Sequence, residues 1–393
     1  MDIMSPPAEA LKSFEFRVAT RLVVGPDTLG RLGELARKLG ATRALVVSDP
    51  GVVQAGHAAA GIVALEGVRV NCTLFDQFGE NPTTKHVEAG VAVAHDVQPD
   101  LIVAIGGGSS LDCAKGINFI YSLGGTMQDY WGRNKAAADR GPMLPAIAVP
   151  TTAGTGSETQ SFALITDATT HVKMACGDTR AAFRVAILDV DLTLTQPARV
   201  AALTAIDALS HALESHVCRA ATPVSKMFSR EAWRLLAVNV PKVFADPADR
   251  EARAAVQLGA AWAGLAIEHS MLGAAHACAN PLTAEHGVVH GQAVGLMLPH
   301  VVRFNTDACA AGYAELVHDI DPTVAAAAAG PWLADWLTSL LTAGRLATSL
   351  TGLDMSAPDV PRLAVAAALQ WTAGFNPRPV TADDLALLYE AAR

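Results

Sequence analysis

The stretch LIVAIGGGSSLDCAKGINFI, Leu101 to Ile120, decides how the rest of the chain is read. It opens on an unbroken apolar run, breaks at Gly106, Gly107, Gly108, Ser109 and Ser110, and resumes with helical spacing. Such a run suits a strand buried on both faces, and a strand passing straight into a helix is half of a βαβ unit. Glycines let backbone N–H groups come close to a phosphate, and the start of a helix adds unsatisfied donors and the positive end of its dipole. The turn therefore suits a pyrophosphate. Its spacing is not GxGxxG, and a tight structural turn is the other reading.

Working outward, RALVVSD, VNCTLFD, MLPAIAVPTT and RVAILD have the same character, and GRLGELARKLG and KHVEAGVAVAHDV between them have helical spacing. This grammar predicts an open, doubly wound parallel sheet, Rossmann-like, over residues 1–192. Beyond it the strand runs stop. PARVAALTAIDALSHALESHV and EARAAVQLGAAWAGLAIEHSMLGAAHACAN are Ala- and Leu-rich with helical periodicity, so residues 193–393 read as an all-α region, with breaks expected at FADPADR, ANPLTAEHG and the Gly330, Pro331 pair. With no repeat or long linker, the two halves should pack directly and leave a cleft between them.

Composition narrows the function classes. The chain has 393 residues, 51% of them hydrophobic, and 38 acidic against 29 basic side chains for a net charge of −9, so neither disorder nor a basic surface for nucleic acid or anionic lipid is expected. Mean hydropathy is +0.29, yet no apolar run approaches the roughly 18 to 20 residues of a membrane span. The N-terminal stretch carries Asp2, Glu9 and Glu15 where a signal peptide has a basic patch, so cytoplasmic residence is expected. Six cysteines without a CxxC pair read as reduced thiols rather than a disulfide framework or zinc knuckle.

A second glycine turn, PTTAGTGSE from Pro150 to Glu158, follows another predicted strand and offers the hydroxyls of Thr151, Thr152, Thr155 and Ser157. It reads as a polar ligand contact at the strand ends or as a loop capping the next helix. Asp49, closing RALVVSD, stands where a carboxylate accepts hydrogen bonds from a ribose and repels a 2′-phosphate, which favours NAD over NADP; an ordinary turn Asp before Pro50 is the alternative. In the helical half, IDALSHALES places Asp207 and His211 on one helix face with Glu214 three residues on, and His269, His276, His286 and His290 follow in a short span. Acid and imidazoles in this pattern are metal-ligand chemistry, although a single His on an Ala-rich helix is ordinarily core.

Taken in order, NPT at Asn81–Thr83, GGGSSLDCAK at Gly106–Lys115, PTTAGTGSE, DALSHALE at Asp207–Glu214, and the LGAAH and VVHGQA segments resemble the iron-containing (group III) alcohol dehydrogenase family, whose relatives include lactaldehyde reductase and propanediol dehydrogenases. The resemblance runs over essentially the whole chain. It implies a dehydroquinate synthase-like architecture and an NAD(P)-linked, metal-dependent alcohol dehydrogenase or aldehyde reductase, with homo-oligomers, dimers above all, known among relatives. Carried over by position, Asp207, His211, His276 and His290 match the metal ligands and so act catalytically through the ion. Gly106, Gly107, Gly108 and Ser109 match the pyrophosphate loop, Thr151, Thr152 and Thr155 the second nucleotide contact, and Asp49 the ribose-side acid. Asn81, Asp112 and Lys173 match residues lining the cofactor site.

One departure stands out. Relatives carry a proton-relaying His where this chain has Asn280, which cannot titrate; a water chain, a cofactor hydroxyl or another imidazole such as His286 takes the role instead. His269 and His286 match no ligand position and are cleft-lining candidates, and Phe162, Trp131 and Trp262 are candidate walls whose alternative is core packing. One carboxylate and three imidazoles already fill a tetrahedral zinc shell, whereas Fe(II) at higher coordination keeps positions free for a substrate, so iron is favoured and zinc is the alternative. The rival readings are a glycerol-type polyol dehydrogenase or dehydroquinate synthase-like lyase, and more remotely a metal-dependent hydrolase.

Overall fold

A computed structural model describes residues 13–137, 140–353 and 359–393. The Asp2 and Glu9 positions of the N-terminal reading lie outside these residues, whereas Glu15 lies within them. The strands are β1 (Arg21–Val24), β2 (Arg43–Val47), β3 (Asn71–Phe75), β4 (Leu101–Gly106), β5 (Gly132–Arg133), β6 (Ala146–Pro150), β7 (Phe162–Thr166), β8 (Lys173–Gly177) and β9 (Val185–Leu188). Six of them form one sheet in the order β1-β9-β6-β4-β2-β3. Every neighbouring pair in it is parallel.

The helices of this half are α1 (Leu32–Lys38), α2 (Pro50–Gln54), α3 (His57–Glu66), α4 (Thr84–Val97) and α5 (Gly108–Leu123). The sheet is buried on both faces, which is why its strands read as continuous apolar runs. On β4, Ile102 and Ala104 join the core under α4 and α5, with Val87, Val91, Leu111 and Ile117. Val103 and Ile105 face the opposite way, into the core with Leu32 and Leu35 of α1 and Leu65 of α3. From β2 the chain moves outward to β3, then returns across β2 to β4 and proceeds the other way through β6 to β9. The crevice at this reversal, at the carboxyl ends of β2 and β4, is where open α/β sheets take ligands.

Beyond residue 190 the described chain is helical: α6 (Ala198–Val217), α7 (Pro223–Ala245), α8 (Arg250–Glu268), α9 (Ala274–His286), α10 (His290–His318), α11 (Ala329–Ala343), α12 (Val360–Ala368) and α13 (Ala382–Ala391). α6 is buried along most of its length, from Ala201 to His216, and is the spine of this region. That burial leaves Asp207, His211 and Glu214 in the interior rather than on a solvated face.

One expected break shifts, and two features go beyond the sequence reading. The predicted break at ANPLTAEHG falls only at its end: Pro281 lies inside α9, and the helix stops at Gly287, whose φ of +67° suits the left-handed C-cap that glycine adopts without cost. The stretch of helical periodicity from Glu251 to Asn280 divides into α8 and α9, parted at His269–Gly273. There Gly273 passes so close to Glu214 that a Cβ would stand 2.9 Å from its Oε1. A second sheet, β5-β8-β7, was not anticipated, because these strands are short and mixed in polarity. The break at FADPADR is where α7 ends and α8 begins, and Gly330 and Pro331 fall in the first turn of α11, where proline is accepted.

Candidate active site

The two turns that follow β4 and β6 are in van der Waals contact. A Cβ on Gly107 would lie 3.2 Å from Thr152 Cγ2, and one on Gly108 would lie 2.7 Å from Thr155 Cγ2, so side chains at these positions would drive the turns apart. Gly106 has φ +152° and gives its carbonyl to the Thr151 N–H at 3.0 Å. Asp49 closes the crevice on the β2 side. Its Oδ1 accepts the N–H groups of Gly51 and Val52 at 3.1 and 3.2 Å, capping α2, and its Oδ2 accepts the Ser110 hydroxyl at 2.9 Å. The predicted turn aspartate is therefore a helix cap as well, and it is fastened to the glycine turn. Asn81 gives its N–H to Ser109 Oγ at 3.2 Å, and Lys173 Nζ donates to Asn81 Oδ1 at 3.4 Å. Burial presses the Lys173 ammonium pKa down, while the carboxylates of Asp112 and Asp207 act to hold it up. That double influence places Lys173 between the nucleotide-type turns and the helical cluster.

In that cluster, three imidazoles face one carboxylate oxygen. Asp207 Oδ1 lies 3.5 Å from Nε2 of His211, 3.7 Å from Nε2 of His276 and 3.8 Å from Nε2 of His290. These separations are too long for good hydrogen bonds, and Asp207 Oδ1 and His276 Nε2 are buried without a hydrogen-bond partner. Ligand atoms about 2.1 Å from a shared ion at tetrahedral angles stand about 3.4 Å apart, so the spacing fits a cation at the centre. Asp207, His276 and His290 each offer an atom within 4.8 Å of the others, and His211 joins through Asp207 and stacks on His276 at 4.9 Å between centroids.

Two of the three other ring nitrogens are tied outward, whereas His290 Nδ1 is buried without a hydrogen-bond partner. His276 Nδ1 donates to Glu214 Oε2 at 2.6 Å, and His211 Nδ1 faces Gly154 O at 3.3 Å. Holding Nδ1 as the donor leaves Nε2 as the lone-pair nitrogen, the outer support usual for metal-ligating imidazoles. Electrostatics agree with a site built for positive charge. Burial opposes a charge on His276, yet Asp207 and Glu214 lift its pKa to about 9, whereas burial drives His290 down to about 3. Burial also opposes ionisation of Asp207, but the imidazoles around it keep its carboxyl far below the usual range.

The remaining candidates separate. Asn280, one turn beyond His276, donates to Gln370 Oε1 at 3.0 Å. His286 ends α9, away from the set that converges on Asp207. His269 packs under Phe16 at 4.7 Å, Trp262 lies on Phe228 at 5.5 Å, and Phe162 faces Trp371 at 5.8 Å. Trp131 is exposed. Two residues carried no assigned role in the sequence reading. Glu214 had a visible signal, sitting seven residues after Asp207 on the same helical face; Lys115 closes the GGGSSLDCAK motif, in which only the glycines, Ser109 and Asp112 were given a role.

Comparison with known proteins fits this geometry. Residues 19–190 match the family described as iron-containing alcohol dehydrogenase, and residues 201–393 match the C-terminal part of the Fe-containing alcohol dehydrogenase family. The chain belongs to the iron-containing alcohol dehydrogenase family. It is 34% identical over 290 residues to the NAD-dependent methanol dehydrogenase of Bacillus methanolicus, covering 74% of this chain and 75% of that one. It is 30% identical over 386 residues to the 1,3-propanediol dehydrogenase of Klebsiella pneumoniae, covering 97% and 99%. The solved structure of a 1,3-propanediol oxidoreductase superposes with a TM-score of 0.93 at 30% identity, covering 97% of this chain and all of that one. Family membership makes the chain an alcohol dehydrogenase, and the lyase and hydrolase readings fall away with it.

Proposed function

We propose that this iron-containing alcohol dehydrogenase oxidises a short primary alcohol or diol, and reduces the corresponding aldehyde, with NAD(H), through Fe(II) held by Asp207, His211, His276 and His290. Zinc is the alternative occupant. The observation that carries the reading is the convergence of three imidazole Nε2 atoms on one oxygen of Asp207 within 3.8 Å, across from two touching glycine turns. Relatives named for methanol and 1,3-propanediol support a small alcohol, and the first of them is named as NAD-dependent.

A bound divalent ion supplies Lewis acidity at the alcohol oxygen. The chain's own groups do the rest. Gly106, Gly107, Gly108 and Ser109 present backbone donors to a diphosphate, and Thr151, Thr152 and Thr155 flank it from the second turn. Asp49 retains lone pairs for ribose hydroxyls beside its capping bonds, which disfavours a 2′-phosphate. Asn81, Asp112 and Lys173 line the nicotinamide side. Glu214 keeps the His276 proton on Nδ1. Asn280 moves no proton, so the alcohol's proton leaves through water, a cofactor hydroxyl or another imidazole such as His286.

The same reading divides the chain into a nucleotide domain, residues 1–192, and a metal and substrate domain, 193–393. It places the protein in the cytoplasm, where its six free thiols stay reduced, as a homodimer or higher homo-oligomer with no nucleic-acid or membrane partner. Among the described residues no helix is long and apolar enough to cross a membrane. The decisive experiment is a steady-state screen of short alcohols and aldehydes with NAD(H) and NADP(H) after loading with Fe(II) or Zn(II). Turnover that needs metal and prefers NAD(H) is expected; metal-independent turnover, or none with any alcohol, refutes the assignment.

A further inference from the structure

Lys115 is a charged residue with no role in the mechanism above, and its side chain is only 1% exposed. It lies on α5, two helical turns beyond Gly108. Its ammonium makes three hydrogen bonds: to Ser157 O at 2.7 Å, to Ser157 Oγ at 2.9 Å and to Phe162 O at 2.7 Å. An ammonium has three donors, so all are satisfied, and the cation also stands 5.2 Å from the centroid of the Phe183 ring. The Ser157 hydroxyl, while accepting from Lys115, donates to Asp112 Oδ1 at 2.5 Å. Lys115 therefore reaches from the helix of the first glycine turn to the end of the second, and by way of Ser157 it fixes the carboxylate of Asp112.

Taking an ammonium out of water costs several kcal/mol unless it is fully paired, and an apolar side chain of the same length would fill the space without that cost. The acceptors are also particular. They are the last part of the PTTAGTGSE turn and the carbonyl that opens β7, so the cation pins both ends of the segment between them to α5. At the other end the turns meet through Gly107 with Thr152 and Gly108 with Thr155, where contact prevents closer approach, and the Thr151 N–H bond to Gly106 O ties them where they leave the sheet. Lys115 supplies a second tie at the far end of the second turn.

We propose that Lys115 is a positioning residue for the dinucleotide: it sets the separation of the two glycine turns and the orientation of Asp112, and so the affinity for NAD(H). The inference rests on the assignment of those turns to the cofactor. Its test uses the metal-loaded enzyme with Lys115→Met, which keeps the length and removes the charge, and with Ser157→Ala, which cuts the link to Asp112 while leaving the Ser157 carbonyl in place. For K115M, the dissociation constant of NADH by fluorescence and the KM for NAD+ are expected to rise roughly tenfold or more, with the KM for alcohol at saturating NAD+ and the metal content unchanged. For S157A the same constants rise by a smaller factor, and this variant decides if K115M does not fold. A lysine that served only the stability of α5 would lower Tm and leave both cofactor constants within twofold of wild type, and that result overturns the proposal. Gly107→Val separates the two levels: if it weakens NADH binding while K115M and S157A do not, the role of Lys115 fails alone; if none of the three does, the turn assignment fails with it.

Discussion

Glu214 shows how much of a metal site is decided one bond away from the ligands. Its two oxygens are committed to two donors, Ala275 N–H at 2.8 Å and His276 Nδ1–H at 2.6 Å. In Glu214→Gln one of those donors must face an NH2 group, so the imidazole loses its fixed tautomer or the helix loses a hydrogen bond. Metal affinity is expected to fall about 10- to 100-fold with the fold retained, measured as residual iron or zinc after dialysis against graded chelator. Retention equal to wild type would remove Glu214 from the site. Asn280 makes the converse case. Its amide is held by Gln370 and has no titratable proton, so Asn280→His adds a titrating group one turn from His276. The pH profile of kcat in N280H is expected to gain an ionisation near pH 6.5 that the wild type lacks. Superimposable profiles would show that residue 280 does not face the reaction.

The turn after β6 carries a titration of its own. Burial is the main force that lifts the Glu158 carboxyl to about 7; Asp112 adds to it and Lys115 opposes it. A carboxyl whose folded pKa exceeds its unfolded value holds its proton better when folded, so folding is favoured below about pH 4.5 and that advantage is lost as pH rises to about 7. Glu158→Gln removes this dependence. Relative to wild type, E158Q should gain stability with rising pH, by an amount on the order of 3 kcal/mol between pH 4.5 and 8 if the whole shift is realised, read from urea midpoints at each pH. A constant difference across that range contradicts it. This element also shows what the sequence disclosed. The strands of the main sheet are apolar on both faces, so the pattern alone located β2, β3, β4, β6 and β9. Edge strand β1 is four residues long and half-exposed, and β5 has only two residues; β7 and β8 are largely buried, and their runs were not read as strands. Of the four proposed ligands, Asp207 and His211 were legible because they share a helix face, whereas the convergence of α9 and α10 on them was legible only through the family resemblance. The partners of Asn280 and Lys115 depend on residues 90 and 42 positions away, which no local pattern contains.

The two halves of the molecule meet with unusually little between them at one point. Gly264, in the middle of α8, lies against Gly156 of the second turn, and a Cβ on Gly264 would stand 2.5 Å from Gly156 O and 2.8 Å from Gly156 Cα. The Thr159 hydroxyl would meet the same Cβ and can turn aside, but the Gly156 backbone cannot. Around this contact Arg253 donates to Thr193 O at 2.7 Å, Gln257 to Pro150 O and Asp189 O at 3.4 Å, and Thr159 to Ala261 O at 3.1 Å, all tying α8 and the strand-end turns together. The proposed metal ligands sit on α6, α9 and α10, the glycine turns proposed for the cofactor sit on the sheet, and α8 is packed against both α6 and the second turn. Gly264→Ala isolates what that spacing is worth. Within the helix the substitution is favourable by about 1 kcal/mol, so any loss comes from pushing the turn away from α8. The metal ligands are untouched, so metal content is expected to stay near wild type, while kcat at saturating NAD+ falls at least tenfold, because hydride transfer depends steeply on placement errors of an ångström or less. A kinetic isotope effect with deuterated alcohol should rise in the variant as the transfer step becomes limiting. If kcat is unchanged, the approach of Gly156 and Gly264 does not set the distance between hydride donor and acceptor; if NADH binding collapses instead, the contact serves the turn and not the register of the two halves.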